Sequence, residues 1–187
     1  MTKYFEIQET PELKYAPRMK NLFGKFDIRT IQLETYPKIP DRQVFIVEPS
    51  NKTIFTDIIL SPFLMISSTV LEVIKMYKDL CFYREVFLIN QLQRKSQLYF
   101  LPVFNETKAL CVESKEYDNG KNISKQTKQQ GEKVYVNKNI FWVSDSLKRH
   151  TILSMDIAES LIRREVFGLG LKEVELYRKT EERSILR

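Results

Sequence analysis

The segment Ser154-Met155-Asp156-Ile157-Ala158-Glu159-Ser160-Leu161-Ile162-Arg163-Arg164, followed by Gly168, constrains this chain more than any other. Ser154 or Asp156 can cap a helix, and Asp156 with Glu159 has the spacing of a capping box. Ile157, Ala158, Leu161, Ile162 and Val166 recur at helical spacing and predict one buried stripe. Glu159 and Arg163 stand at i,i+4, and Arg163 and Arg164 sit where the helix dipole favours cations. Gly168 offers the left-handed exit. A shorter echo occurs at Ser67-Ser68-Thr69-Val70-Leu71-Glu72-Val73-Ile74, where Ser67, Ser68 and Thr69 are possible caps, Thr69 and Glu72 have box spacing, and Val70, Leu71, Ile74 and Tyr77 share a face. The two units could be a duplicated strand-helix-strand or two capped helices alike by convergence, and the bland alternative is preferred.

Between and around these helices the pattern is that of short strands. Lys3–Gln8 reads as a first strand that offers Tyr4, Phe5 and Ile7 for burial, and Pro11 and Pro17 oppose a long helix after it. Phe26–Ile31 alternates with period two. Gln43–Val47, Thr53–Leu60, Glu85–Ile89, Gln97–Phe104, Lys133–Val136, Ile140–Val143 and Leu171–Tyr177 are further strand candidates, with Pro102 arguing for an edge or a bulge. The fold class expected is therefore α+β: one domain over 1–187, with a twisted, largely antiparallel sheet. Two main amphipathic helices, near Thr69–Lys78 and Asp156–Val166, pack on it. A polar, lysine-rich loop is expected at about 114–138 and a fraying tail at 179–187.

At 187 residues, 43% hydrophobic and 29% charged, the chain has the make-up of a globular domain able to bury its own core. No apolar run approaches the ~18 residues of a membrane span. The N-terminus lacks the basic-then-apolar layout of a signal peptide, so a cytoplasmic address is expected. Cys81 and Cys111 lie in apolar surroundings and read as buried free thiols rather than a disulfide or a zinc site. Of the net charge of +6, the stretch Ser114–Lys138 supplies +3, six lysines against three carboxylates. With no arginine and few aromatics, that stretch looks more like a solvated loop than a nucleic-acid arm.

Catalytic chemistry finds few parts. Asp156 and Glu159 share a helical face, yet capping explains both without a metal. Asp145 reads as part of a hairpin turn. His150, the single histidine, reads as an exposed loop residue; Lys148-Arg149-His150 is a weaker candidate for an anion-binding cluster. Neither Ser146 nor Ser154 sits in a nucleophile elbow, and neither cysteine lies in a motif. Gly168-Leu169-Gly170 follows a helix instead of preceding one, so no dinucleotide loop is present. The expectation is a non-enzymatic binding protein with no cofactor.

The order and character of these segments resemble bacterial proteins with an immunity-protein-like domain, encoded in polymorphic toxin systems. The resemblance covers roughly residues 26–177. It rests on Phe63-Leu64-Met65-Ile66-Ser67 entering the first helix, Phe82–Ile89 after it and Ile152-Leu153-Ser154 entering the second. The Gly168-Leu169-Gly170-Leu171 exit and the strand Val174–Leu176 complete it. Asp145–His150 is short and basic, and Ser114–Asn139 is longer than the family pattern. The resemblance implies a protein that neutralises a cognate toxin by occlusion, with no catalytic residues to carry over. Lys121, Lys125, Lys128, Lys148 and Arg149 are the partner-binding candidates. The alternative is a nucleic-acid or anion-binding module that uses the lysine-rich segment. A hydrolase or nuclease using His150 with Asp156 or Glu159 ranks third.

Overall fold

A computed structural model describes residues 3–20, 27, 30–79, 81–113, 132–144 and 149–178. In chain order its elements are β1 (Tyr4–Gln8), β2 (Arg42–Ile46), β3 (Ile58–Ile59), β4 (Met65–Ile66), α1 (Ser68–Met76), β5 (Cys81–Asn90) and β6 (Lys95–Phe104). There follow β7 (Ala109–Glu113), β8 (Ile140–Ser144), β9 (Arg149–Ser154), α2 (Met155–Ile162) and β10 (Gly170–Arg178). After β1 the chain makes only a short 3-10 turn at Pro11–Tyr15, as the prolines require.

The fold is α+β, with the strands divided between two sheets where one was expected. The first sheet, in the order β7-β10-β1-β9-β8, is antiparallel throughout. The second runs β2-β5-β6-β4-β3, with β2 parallel to β5 and the other pairs antiparallel. Both sheets hold the same core layout. A strand pair (β3-β4 or β8-β9) leads into a helix and then into a strand (β5 or β10). That strand is separated from the second of the pair by one antiparallel neighbour, β6 in one sheet and β1 in the other. The likeness read between Ser67 and Ser154 thus extends to strand order. Both serines precede a helix in nearly the same conformation, φ −72, ψ 171 and φ −71, ψ 161.

The caps differ from the expected boxes. Ser67 caps α1, its Oγ accepting from Val70 N at 3.4 Å, while Glu72 is exposed. Ser154 precedes α2, but its hydroxyl donates to Asn139 Oδ1 instead (3.0 Å), leaving Asp156 to favour the helix start by charge alone. The α2 stripe buries Ile157, Ala158, Leu161 and Val166; Ile162, expected in it, is 59% exposed. The helix ends at this point, and Glu165, at φ 54, makes the first left-handed step. Gly168 turns the chain later, at φ 84. Thr53–Leu60 yields only the two-residue β3, because Asp57 instead pairs its backbone with Phe167 and Ser67. Lys133–Val136 contributes a single bridge to Tyr177. Pro102 pairs with Tyr83 of β5 on a strand that lies between β5 and β4, two residues past the single register pair with β4 at Phe100. The Phe26–Ile31 strand and the tail fall largely or wholly outside the described residues.

The larger core lies between the sheets and helices and gathers Val86, Leu88, Tyr99 and Leu101 with Val70, Ile74, Ile157 and Leu161. Tyr77 ties the helices together, donating from its hydroxyl to Asp156 O (2.7 Å) and lying 2.6 Å from Ser160 Oγ. A second, smaller core of Tyr4, Ala109, Phe141, Val143, Ile152, Val174 and Leu176 fills the other face of the first sheet. That sheet curls over it. On the way to β7, at one edge, the chain pairs with β8 at the other: Trp142 N donates to Asn105 O (2.9 Å) and Thr107 N to Trp142 O (2.7 Å). Both faces of the first sheet are therefore covered.

Candidate functional site

Strand alternation splits the basic cluster read at Lys148-Arg149-His150. Arg149 and His150 are neighbours on β9, so their side chains leave opposite faces of the sheet. His150 goes inward, to the face that carries Ile152 and the small core. It is 8% exposed, and its Nδ1 lies 2.7 Å from Oε1 of Glu6, itself 6% exposed, on β1. Gln8 Nε2 donates to the other oxygen of Glu6 at 3.2 Å. Lys172 pairs with Glu6 in strand register from β10. The exposed-loop reading of His150 is thus corrected. An imidazole whose ring nitrogen is engaged by a carboxylate can be buried where an unpaired one is costly. Its carboxylate is Glu6, not Asp156 or Glu159. Glu159 pairs instead with Arg163 (3.3 Å), as the i,i+4 spacing predicted.

Arg149 goes outward, to a cleft of about 490 Å³ between the 32–34 turn and the seam where residues 104–106 meet β8. Phe104 and Trp142 form its apolar wall, 5.5 Å apart in an edge-to-face pair. Trp142 is held from behind by its Nε1 donating to Thr151 Oγ1 (3.2 Å). The Arg149 guanidinium stacks on the Trp142 ring at 4.2 Å and donates from Nη1 to Ile31 O at 2.6 Å. Its Nε is buried with no partner. Burial lowers the guanidinium's pKa from its ordinary value, and the fields of Glu106 and Glu34, both lining the cleft, act the other way. Gln32 and Asn105 add amide groups. Nothing in the sequence marked Glu34, Glu106 or Trp142; only the fold brings them to Arg149.

The other partner-binding candidates, Lys121, Lys125, Lys128 and Lys148, lie outside the described residues, as does Asp145. Among the described residues no three His, Cys, Asp or Glu side chains form a metal-binding group. No described helix is long and apolar enough to cross a membrane. Cys81 is part-buried, and burial pushes its thiol pKa up to about 12, against a smaller opposing pull from Lys75.

A different surface stands out on the second sheet. The faces of β2, β5 and β6 turned away from Val86, Leu88 and Tyr99 carry the cross-strand row Val44–Phe87–Leu98 and, beside it, Ile46–Ile89. Val44 is 57% and Ile46 39% exposed, and Phe87, Ile89 and Leu98 are half-buried. Arg42 and Glu85 form a 2.6 Å ion pair at one rim. Towards Tyr83 and Phe100 the face is closed by the Lys75 ammonium of α1, 4.6 Å from the Tyr83 ring. No protein-family model matches the chain, and no curated protein matches it.

Proposed function

We propose that this chain is a non-catalytic binding protein that docks one protein partner on the outer face of its second sheet. The observation that carries this reading is the Val44–Phe87–Leu98 row with Ile46 and Ile89. Contiguous apolar side chains on a solvent-facing sheet are costly to leave in water and characteristic of an interaction surface. A row of side chains spread across three adjacent strands suits a protein surface better than a small ligand. With a net charge of +6, encounter with an acidic partner is accelerated. The resemblance to immunity-protein-like domains supports a cognate bacterial toxin as that partner, neutralised by stoichiometric occlusion.

The test is to tag the protein and recover what it holds from native lysate with nuclease present in about 0.3 M salt, where exposed charge attraction is largely screened. The captured protein is then purified and titrated against wild type and Val44→Glu. Saturable 1:1 binding that Val44→Glu weakens by about tenfold or more, as a charge placed in a desolvated interface should do, supports the proposal. Equal affinity of both forms refutes this face, and a bait emptied by nuclease moves attention to the lysine-rich segment.

A further inference from the structure

We infer that the Arg149–Trp142 cleft binds a small zwitterion of the basic amino-acid type, its carboxylate on Arg149 and its ammonium groups on Glu34 and Glu106. The site is distinct from the docking face and independent of it. Three observations converge on this chemistry. Arg149 is fixed in position, with its plane set by the Trp142 ring at 4.2 Å and one end anchored on Ile31 O at 2.6 Å. Yet that anchor is the single hydrogen bond it makes among the described residues, out of five N–H donors a guanidinium carries. Glu34 and Glu106 line the same cleft and act on Arg149 through space, but neither carboxylate is hydrogen-bonded or ion-paired among the described residues.

Among the described residues, the half-buried Arg149 and the exposed Glu34 and Glu106 share one cleft without a hydrogen bond or ion pair between them. A ligand that brings an acceptor to one side and donors to the other satisfies them together. One guanidinium and two carboxylates complement a ligand with one negative and two positive groups. A simple anion is opposed by the glutamates and a simple amine by the arginine. The volume of about 490 Å³ suits a molecule of this size.

L-lysine is the probe, compared with cadaverine, which is lysine without the carboxylate, and with acetate. Binding is read by calorimetry and by the emission of Trp142, the single tryptophan. Lysine is expected to bind saturably below about 10 mM, with cadaverine and acetate at least about tenfold weaker, since cadaverine forfeits the carboxylate contact and acetate both ammonium contacts, each charge-assisted contact being worth about 1.4 kcal/mol or more. Glu34→Gln and Glu106→Gln, both at exposed positions, should keep the far-UV spectrum and each weaken lysine about three- to tenfold. The absence of saturation up to about 10 mM lysine overturns the inference. So does cadaverine binding as well as lysine, or lysine binding unchanged in both glutamine variants.

Discussion

Replacing His150 with leucine should cost this protein far more than removing a surface histidine would. His150 and Glu6 are 8% and 6% exposed, and their contact is 2.7 Å. They lie on the face that carries Tyr4, Phe141, Val143, Ile152 and Val174. Without the imidazole, Glu6 keeps the longer bond from Gln8 at 3.2 Å but loses its short one. A hydrogen bond to a charged group contributes about 1.5–3 kcal/mol, and this one is short and buried. For a chain of this length each kcal/mol shifts the melting temperature by about 2–4 °C, so His150→Leu should lower Tm by roughly 3–12 °C. Glu6→Leu should lose a similar amount. The double variant should lose less than the sum of the two single losses, because the two side chains are in direct contact. Urea unfolding followed by Trp142 emission measures all three, at constant m-value. A loss below about 0.5 kcal/mol in His150→Leu, or strict additivity in the double variant, would refute the buried-pair reasoning.

Gly168→Ala should destabilise by about 1–3 kcal/mol, since it combines a left-handed backbone with crowding. The glycine has φ 84, and an added Cβ would lie 3.0 Å from Leu13 Cδ2 and 3.2 Å from Thr56 Cβ. A wild-type midpoint in urea for this variant would contradict that. Alkaline pH should weaken the fold through Cys81, whose thiol is raised from 9.0 to about 12. The unfolded chain gives up this proton first, so the contribution is complete below the ordinary thiol value and is lost as pH rises towards the folded one. Its slope is at most about 1.4 kcal/mol per pH unit. Cys81→Ala should therefore flatten the stability profile above pH 9.0, and an unaltered profile would contradict the assignment. Tyr77→Phe, which removes the hydroxyl contacts to Asp156 O and Ser160 Oγ, should cost about 1 kcal/mol in the same unfolding assay.

What was legible in the sequence was local. The two helices, the long strands at β5, β6 and β10 and the Glu159–Arg163 pair follow from periodicity and spacing, which neighbouring residues carry by themselves. Ile162 was misplaced because, as the last residue of α2, it falls on the flank of the stripe formed by Ile157, Ala158 and Leu161 and turns to solvent, whereas Val166, beyond the helix, is buried. His150 was misread because its partner, Glu6, is 144 residues away, and a polar residue among Arg149 and Thr151 looks solvated until that partner is known. The cleft was invisible for the same reason. Gln32, Glu34, Glu106, Trp142 and Arg149 come from three separate parts of the chain. Arg149 was singled out for its charge alone, with no sign that Trp142 would hold it.

The repeated strand layout bears on why the two faces differ. In each sheet a helix follows a strand pair and the next strand returns one place away, so both units need a further antiparallel strand to fill the gap. The unit around α1 takes its filler from the chain that follows, β6, through the short Gln91–Arg94 turn. The unit around α2 takes β1, from the other end of the chain. That choice sets Glu6 between Ile152 and Lys172 in register and so supplies the partner His150 needs. It also leaves the connection from β6 free to run along β8, which curls the first sheet and brings residues 104–106 beside Trp142 and Arg149. Among the described residues the second sheet has no such closure across β2, β5 and β6, and Val44 and Ile46 on its outer face are exposed. One sheet is thus closed around the buried Glu6–His150 contact, while the other leaves an apolar face exposed. Substitutions at Glu6 or His150 should accordingly act on stability, whereas those at Val44 should act on binding at unchanged stability.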